Sequence, residues 1–291
     1  MVTAAGLWYD DHFNDRETVI LEESCPMAEQ SGDSMTSFEN ILYDLAPPRA
    51  TITLNRPPLN ILDVATIREI NCAVEDVQTR SDVHLVRFTA AGEKAFSVGV
   101  DVKDHTPDKV GGMLREFHQI FHRLFELNTI TMAIVKGHCL GGGCELVMMC
   151  DFVIAAEGAM FGQPEIHLAC YPPVAAVYLP RLIGSKRAVD MLLTGASIPA
   201  RQAEAIGLIT RVVPQDQLDK AADGLSEQLL KASPAALKLT KQALRTGMIG
   251  DFSSALKRTE YIYLNDLIRT EDAQEGINAF LEKRPPVWKG Q

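Results

Sequence analysis

The sequence has no apolar run near the ~20 residues that a membrane-spanning helix needs. It also lacks the basic-then-apolar opening of a secretory signal, so a cytoplasmic protein without membrane association is expected. None of the six cysteines, Cys25, Cys72, Cys139, Cys144, Cys150 and Cys170, is spaced as in a CxxC zinc motif; reduced, mostly buried thiols are expected instead. There is no HExxH pattern. His118 and His122 stand one helical turn apart but lack an acidic partner, so they are expected at the surface or an interface, and no metal site is expected. Basic residues interleaved with aromatics are missing, which argues against nucleic acid. Excess positive charge is missing too: the formal net charge is -10. Much of that acidity lies in residues 1–37, which hold eight acids against the single base Arg16. The remaining chain is close to neutral.

Hydrophobic residues make up 46% of the 291, enough for a substantial core. Residues 1–37 have no clear periodicity and are expected to form a disordered extension. From residue 41 the pattern changes. Segments 41–45 and 50–55 predict strands of a hairpin around Pro47-Pro48. Asp63 predicts the N-cap of a helix that buries Val64, Ile67, Ile70, Val74 and Val77. Segments 83–89, 130–135 and 152–156 predict buried strands. They alternate with helices over 113–125 and 141–150, which gives an α/β core over residues 38–195. Helices are expected beyond about residue 174, with a helical C-terminal region over 196–291.

Three segments carry chemistry. Gly137-His138-Cys139-Leu140-Gly141-Gly142-Gly143-Cys144-Glu145-Leu146 leaves a buried strand, passes through three glycines and enters a helix. Glycine lets backbone approach a ligand closely, and the first N–H groups of a helix lack internal partners and carry positive partial charge. Such groups can hold an oxyanion, although the same residues also suit tight packing with a helpful first-turn acid. The run lacks the lysine of a GxxxxGK[ST] phosphate loop. The second segment, Phe161-Gly162-Gln163-Pro164-Glu165-Ile166, puts a carboxylate on a turn between apolar stretches. Two carboxylates facing one cleft can divide acid and base work, because burial and mutual repulsion separate their pKa values. The third, Lys94-Ala95-Phe96-Ser97-Val98-Gly99-Val100-Asp101-Val102-Lys103, is by itself an ordinary loop after a strand.

Together, KAFSVGVDVKD, GHCLGGGCEL and FGQPEI, at these intervals, resemble the motifs of the enoyl-CoA hydratase/isomerase superfamily, the crotonases. The resemblance covers about residues 51–283. It implies a crotonase-like (ClpP/crotonase) α/β spiral of ββα units with a helical C-terminal trimerisation region, assembled as a homotrimer or a dimer of trimers. It also implies an oxyanion hole from the Val100 and Gly142 N–H groups, and Glu145 and Glu165 as the pair that handles water. Coenzyme A would run along Val100, Asp101, Val102 and Lys103. In Phe280-Leu281-Glu282-Lys283-Arg284, Phe280 and Lys283 look like residues that reach coenzyme A in a neighbouring subunit. The acyl-CoA is the substrate, and no separate cofactor is expected. Arg56-Pro57-Pro58-Leu59-Asn60 resembles a family loop near the thioester.

After Glu165 the family's common hydratases carry glycines, whereas this chain reads Ile166-His167-Leu168-Ala169-Cys170-Tyr171-Pro172-Pro173-Val174-Ala175-Ala176-Val177. Pro173 has no N–H to offer near the catalytic water. The replacement, the stretch through His105-Thr106-Pro107-Asp108 and the tail from Glu275 to Trp288 resemble one branch, the cyclohexa-1,5-diene-1-carbonyl-CoA hydratases of anaerobic benzoyl-CoA degradation. A linear enoyl-CoA hydratase or isomerase of β-oxidation is the alternative. A coenzyme A thioester-binding protein without activity is the other, although a mere binder needs neither carboxylate.

Overall fold

The computed structural model describes residues 38–248, 252–265 and 267–287. The acidic extension at 1–37 and Trp288 lie outside them. The predicted hairpin is present as β1 (Ile41–Ala46) and β2 (Arg49–Leu54). Helix α1 (Val64–Thr79) starts where its cap requires: the Thr66 N–H donates to Asp63 Oδ1 at 2.9 Å. Ile67, Ile70, Val74 and Val77 of its predicted face are fully buried, and Val64 packs at the margin.

The chain then repeats one theme. A long strand is followed by a three-residue strand and then a helix: β3 (Leu85–Ala90), β4 (Ala95–Ser97) and α2 (Val110–Glu126). Next come β5 (Ile130–Val135), β6 (His138–Leu140) and α3 (Gly142–Met148), then β7 (Phe152–Ala156), β8 (Met160–Gly162) and α4 (Pro173–Ile183). These are the ββα units of a crotonase-like fold.

Helix α5 (Ser185–Thr194), β9 (Ser197–Pro199), α6 (Ala200–Ala205), β10 (Arg211–Val213) and α7 (Leu218–Leu230) continue the chain. It ends with α8 (Pro234–Met248), α9 (Phe252–Asn265) and α10 (Glu271–Leu281).

The long strands form one sheet in the order β1-β2-β3-β5-β7-β10, parallel from β2 onward. Both faces are covered, as a parallel sheet requires. Ile130, Met132 and Ile134 of β5 face Leu218, Ala222 and Leu225 of α7, while Ala133 and Val135 face the core shared with α1 and α2. The period of two therefore shows only in which core each residue enters, since every residue of β5 is buried. The short strands form a second sheet, β4-β6-β8-β9. Strands β9 and β10 pair with β8 and β7, so both sheets continue beyond residue 195 into the stretch expected to be helical.

Cys139, Cys144, Cys150 and Cys170 are free thiols, as expected. Cys72 is disulfide-bonded, which corrects the expectation there; spacing along the chain does not reveal which thiols meet across a fold. Cys25 lies outside the described residues. No helix among the described residues is long and apolar enough to cross a membrane.

Asn60 ties the loop before α1 to the β3–β4 connection. It is 1% exposed, its Oδ1 accepts from the Arg56 N–H at 2.9 Å, and its Nδ2 donates to the carbonyls of Ala91 and Ala95 at 3.0 and 2.8 Å. Asn60→Ala strands those groups and is expected to cost about 3 kcal/mol in denaturant unfolding.

Candidate active site

Strands β4, β6 and β8 are parallel neighbours, with Ala95 opposite His138 and His138 opposite Met160. Parallel strands present their C-terminal ends at one edge. The three segments singled out in the sequence leave from that edge: Gly99-Val100 after β4, the glycine run after β6, and Gln163-Pro164-Glu165 after β8. Residues 20 apart in sequence thereby become neighbours.

The glycines make the approach possible. Gly99 has φ +101°, and a Cβ there would lie 3.1 Å from the Gly142 nitrogen and 3.3 Å from the Leu140 carbonyl oxygen. A Cβ on Gly143 would lie 2.6 Å from Ser97 Cβ. The two backbones are thus in contact. The Leu62 N–H donates to the Gly99 carbonyl at 3.0 Å, and the Asp101 N–H donates to the Leu62 carbonyl at 3.1 Å. This pairing skips the N–H of Val100. Gly142 is the first residue of α3 and has no carbonyl a turn before it to bond. Among the described residues neither N–H has a hydrogen-bond acceptor.

Both glutamates border this spot. The carboxylate of Glu165 lies over the glycine run, its Oε1 2.6 Å from where a Gly141 Cβ would stand, and Gly141 itself has φ +53°. Its Oε2 is buried without a hydrogen-bond partner among the described residues. Glu145, in the first turn of α3, is 2% exposed. The N–H of Ala175 donates to its Oε1 at 2.8 Å. Pro173 opens α4 and contributes no N–H, as the sequence predicts, but Ala175, two residues on in the same first turn, supplies the donor. Glu145 thus sits at the positive end of α4.

Burial raises Glu145 to about 7, against the opposing pull of the Ala175 N–H, His118 and the Val174 N–H. Burial and then the charge of Glu145 raise Glu165 to about 8. The environment is unequal: Glu145 has donors that favour its ionised form, while Glu165 has an unfilled oxygen and a negative neighbour. Two such groups can take and give a proton near neutral pH.

The other expected residues lie around this centre. The Lys103 N–H donates to Asp101 Oδ1 at 3.0 Å, forming a short 3-10 turn, Val102–Asp104, with the Lys103 side chain exposed. Helix α10 packs against this turn and against the Pro164–Leu168 turn that carries Glu165. There Gly276 is indispensable, because a Cβ would lie 2.3 Å from the Leu168 carbonyl oxygen. Phe280 and Lys283, at the far end of α10, are exposed rather than gathered with the glutamates of their own chain.

Some polar groups near the centre escape the sequence reading. His118 is 2% exposed, not a surface residue. It shares a helix face with Leu114 and Phe121, so its burial was legible in the helical period. Gln163 is fully buried with both amide atoms unpartnered. Its place between β8 and Glu165 was the available signal. Tyr263 of α9 is buried, its ring 5.2 Å from that of Tyr171 and its hydroxyl beside the Cys170 thiol. No pattern near Tyr263 pointed to the site.

The chain matches the enoyl-CoA hydratase/isomerase family model over residues 49–291. It belongs to that family. As a member it is a hydro-lyase enzyme. It is 36% identical over 253 residues to a probable enoyl-CoA hydratase of Mycobacterium bovis, covering 86% of this chain and 98% of the relative. It is 32% identical over 240 residues to the cyclohexa-1,5-dienecarbonyl-CoA hydratase of Thauera aromatica, covering 82% of this chain and 92% of the relative. The crystal structure of an enoyl-CoA hydratase from Mycobacterium avium subsp. paratuberculosis superposes with a TM-score of 0.79 at 28% identity, over 87% of this chain and all of that one. The family expectation and the fold therefore hold. The relative named for a cyclic diene is more distant than the one from M. bovis, so similarity does not select the expected branch.

Glu165 generates a stability prediction. Its folded pKa lies above the ordinary 4.5, so the fold retains a proton that the unfolded chain has already lost. Below about pH 4.5 there is no penalty, and between there and about 8 stability falls as pH rises. Glu165→Gln removes the penalty. The variant is expected to match the parent near pH 4 and to exceed it by a few kcal/mol at pH 8 in urea unfolding, about 1.4 kcal/mol per pH unit.

Proposed function

We propose that the enzyme adds water to a conjugated cyclic dienoyl-CoA thioester, converting cyclohexa-1,5-diene-1-carbonyl-CoA to 6-hydroxycyclohex-1-ene-1-carbonyl-CoA. The observation that carries hydration is the pair of carboxylates, buried Glu145 and Glu165 with its Oε2 buried, bordering two backbone N–H groups that have no acceptor among the described residues. A thioester oxygen bound by the Val100 and Gly142 N–H groups can accept electrons from its conjugated ring, since these donors meet the charge that develops on it. Glu145, the more readily ionised, takes a proton from water. The resulting hydroxide bonds to C2, the carbon β to the carbonyl, and the C1=C2 pair moves onto the thioester oxygen. The dienolate so formed spans C1, C6 and C5. Protonation at C5 by Glu165 restores the carbonyl and leaves C1=C6, which is the product once the ring is renumbered. Atoms and charge balance with no metal, flavin or nicotinamide required.

Pro173 supports the cyclic substrate. It removes one N–H from the wall beside Glu145 and places ring and small side chains there, suiting a flat ring better than a glycine-bordered water site. Coenzyme A would follow Val100, Asp101, Val102 and Lys103. Exposed Phe280 and Lys283 would meet the coenzyme of a neighbouring subunit in a trimer or dimer of trimers. Hydration of a linear enoyl-CoA is favoured by one observation, the higher identity to the M. bovis relative.

The test is loss of conjugated-thioester absorbance with cyclohexa-1,5-diene-1-carbonyl-CoA and crotonyl-CoA in parallel. The cyclic substrate is expected to show the larger kcat/KM; the reverse order overturns the ring assignment. Glu145→Gln and Glu165→Gln are each expected to lower kcat by about 10²-fold or more. Full activity in either refutes the two-carboxylate mechanism. Because Glu145 must be ionised and Glu165 protonated, kcat is expected to rise through about 7 and fall above about 8.

A further inference from the structure

His118 lies in the core of α2 with Leu114, Phe117 and Phe121, where an apolar side chain would pack without penalty. Instead it buries two ring nitrogens that have no hydrogen-bond partner among the described residues. A buried nitrogen without a partner destabilises the fold, so core filling alone does not account for it. Its Nδ1 lies 3.6 Å from Oε1 of Glu260 on α9, an ion-pair distance just beyond a hydrogen bond. The preceding residue, Phe117, rests on the first turn of α3, its Cζ 2.7 Å from where a Gly142 Cβ would stand. This part of α2 therefore lies against the turn that carries Glu145. His118 thus lies at ion-pair distance from a carboxylate on α9, and the residue beside it touches the helix that carries Glu145.

We propose that His118 is a positioning residue for the reaction: braced by Glu260, its imidazole faces Glu145 and holds that carboxylate ready to take the proton of water. This rests on Glu145 being the base. The electrostatics agree in direction. His118 pulls Glu145 down from the level that burial alone would set. Burial would raise Glu260, yet His118, with His122 and Arg115, holds it below the usual range. Burial and then the charge of His118 lower His122. The groups around the imidazole are Glu260 on α9, His122 on its own helix and Glu145 on α3. Beyond them Arg115, Glu126 and Lys257 act on Glu260 or His122, and Glu165 is coupled to Glu145.

The experiment compares wild type, His118→Gln and Glu260→Gln as full chains, with folding checked by circular dichroism. Carbon-13 NMR follows the Glu145 carboxyl, assigned through Glu145→Gln, and the pH profile of kcat is recorded with whichever of the two thioesters wild type hydrates. His118→Gln is expected to move the Glu145 midpoint and the acidic limb of kcat upward by about one pH unit. At pH 6.5 that is about a tenfold loss of kcat, with KM changed less than about twofold. Glu260→Gln is expected to move both in the same direction by less. Unmoved midpoints, or a loss of kcat equal at every pH, overturn the proposal. Should His118→Gln not fold, an unmoved midpoint in Glu260→Gln overturns it alone. Full activity in Glu145→Gln would instead end the base assignment, a separate outcome, because the NMR midpoint is read without turnover.

Discussion

Two carboxylates, buried Glu145 and partly buried Glu165, stand beyond the ends of three parallel strands, close enough for the charge of one to act on the other. Burying an ionised carboxylate without partners is expensive, and burying two together is worse. The fold meets this unequally. Glu145 receives the Ala175 N–H and the positive end of α4, whereas Glu165 leaves one oxygen unfilled beside a negative neighbour. The asymmetry separates a group that ionises more easily from one that retains its proton, which is the division that adding water across a double bond demands.

The backbone around them is built for close approach. Gly99, Gly141, Gly142 and Gly143 are the positions where a single methyl group would strike backbone, a neighbouring side chain or Glu165 itself. That constraint brings the backbone of Val100 against that of Gly142, with no acceptor for either N–H among the described residues. The small sheet is the device that aligns these segments. Its strands have three residues each, too short to hold together alone, and they are carried by the large sheet and its helices.

The C-terminal helices form the rest of the enclosure. Helix α10 presses Gly276 onto the turn of Glu165, and α9 sends Tyr263 toward Tyr171 and Glu260 toward His118. Elements that appear in sequence as simple amphipathic helices thus bear on the chemistry from behind.

The long strands, the Asp63 cap, the buried face of α1, and the three motifs with their two glutamates were legible in the chain alone, because each is written in a local period or a contiguous pattern. The sequence did not contain β4, β6, β8, β9 and β10, whose three-residue strands are too short for a period to emerge, nor the bonded state of Cys72. Folding in three dimensions brought the segments after β4, β6 and β8 to one edge and set the Ala175 N–H on Glu145 where Pro173 has none to give. The reason is physical: burial, hydrogen bonding and electrostatic coupling depend on what lies across the fold, and a parallel sheet brings together residues whose separation along the chain carries no record of the meeting.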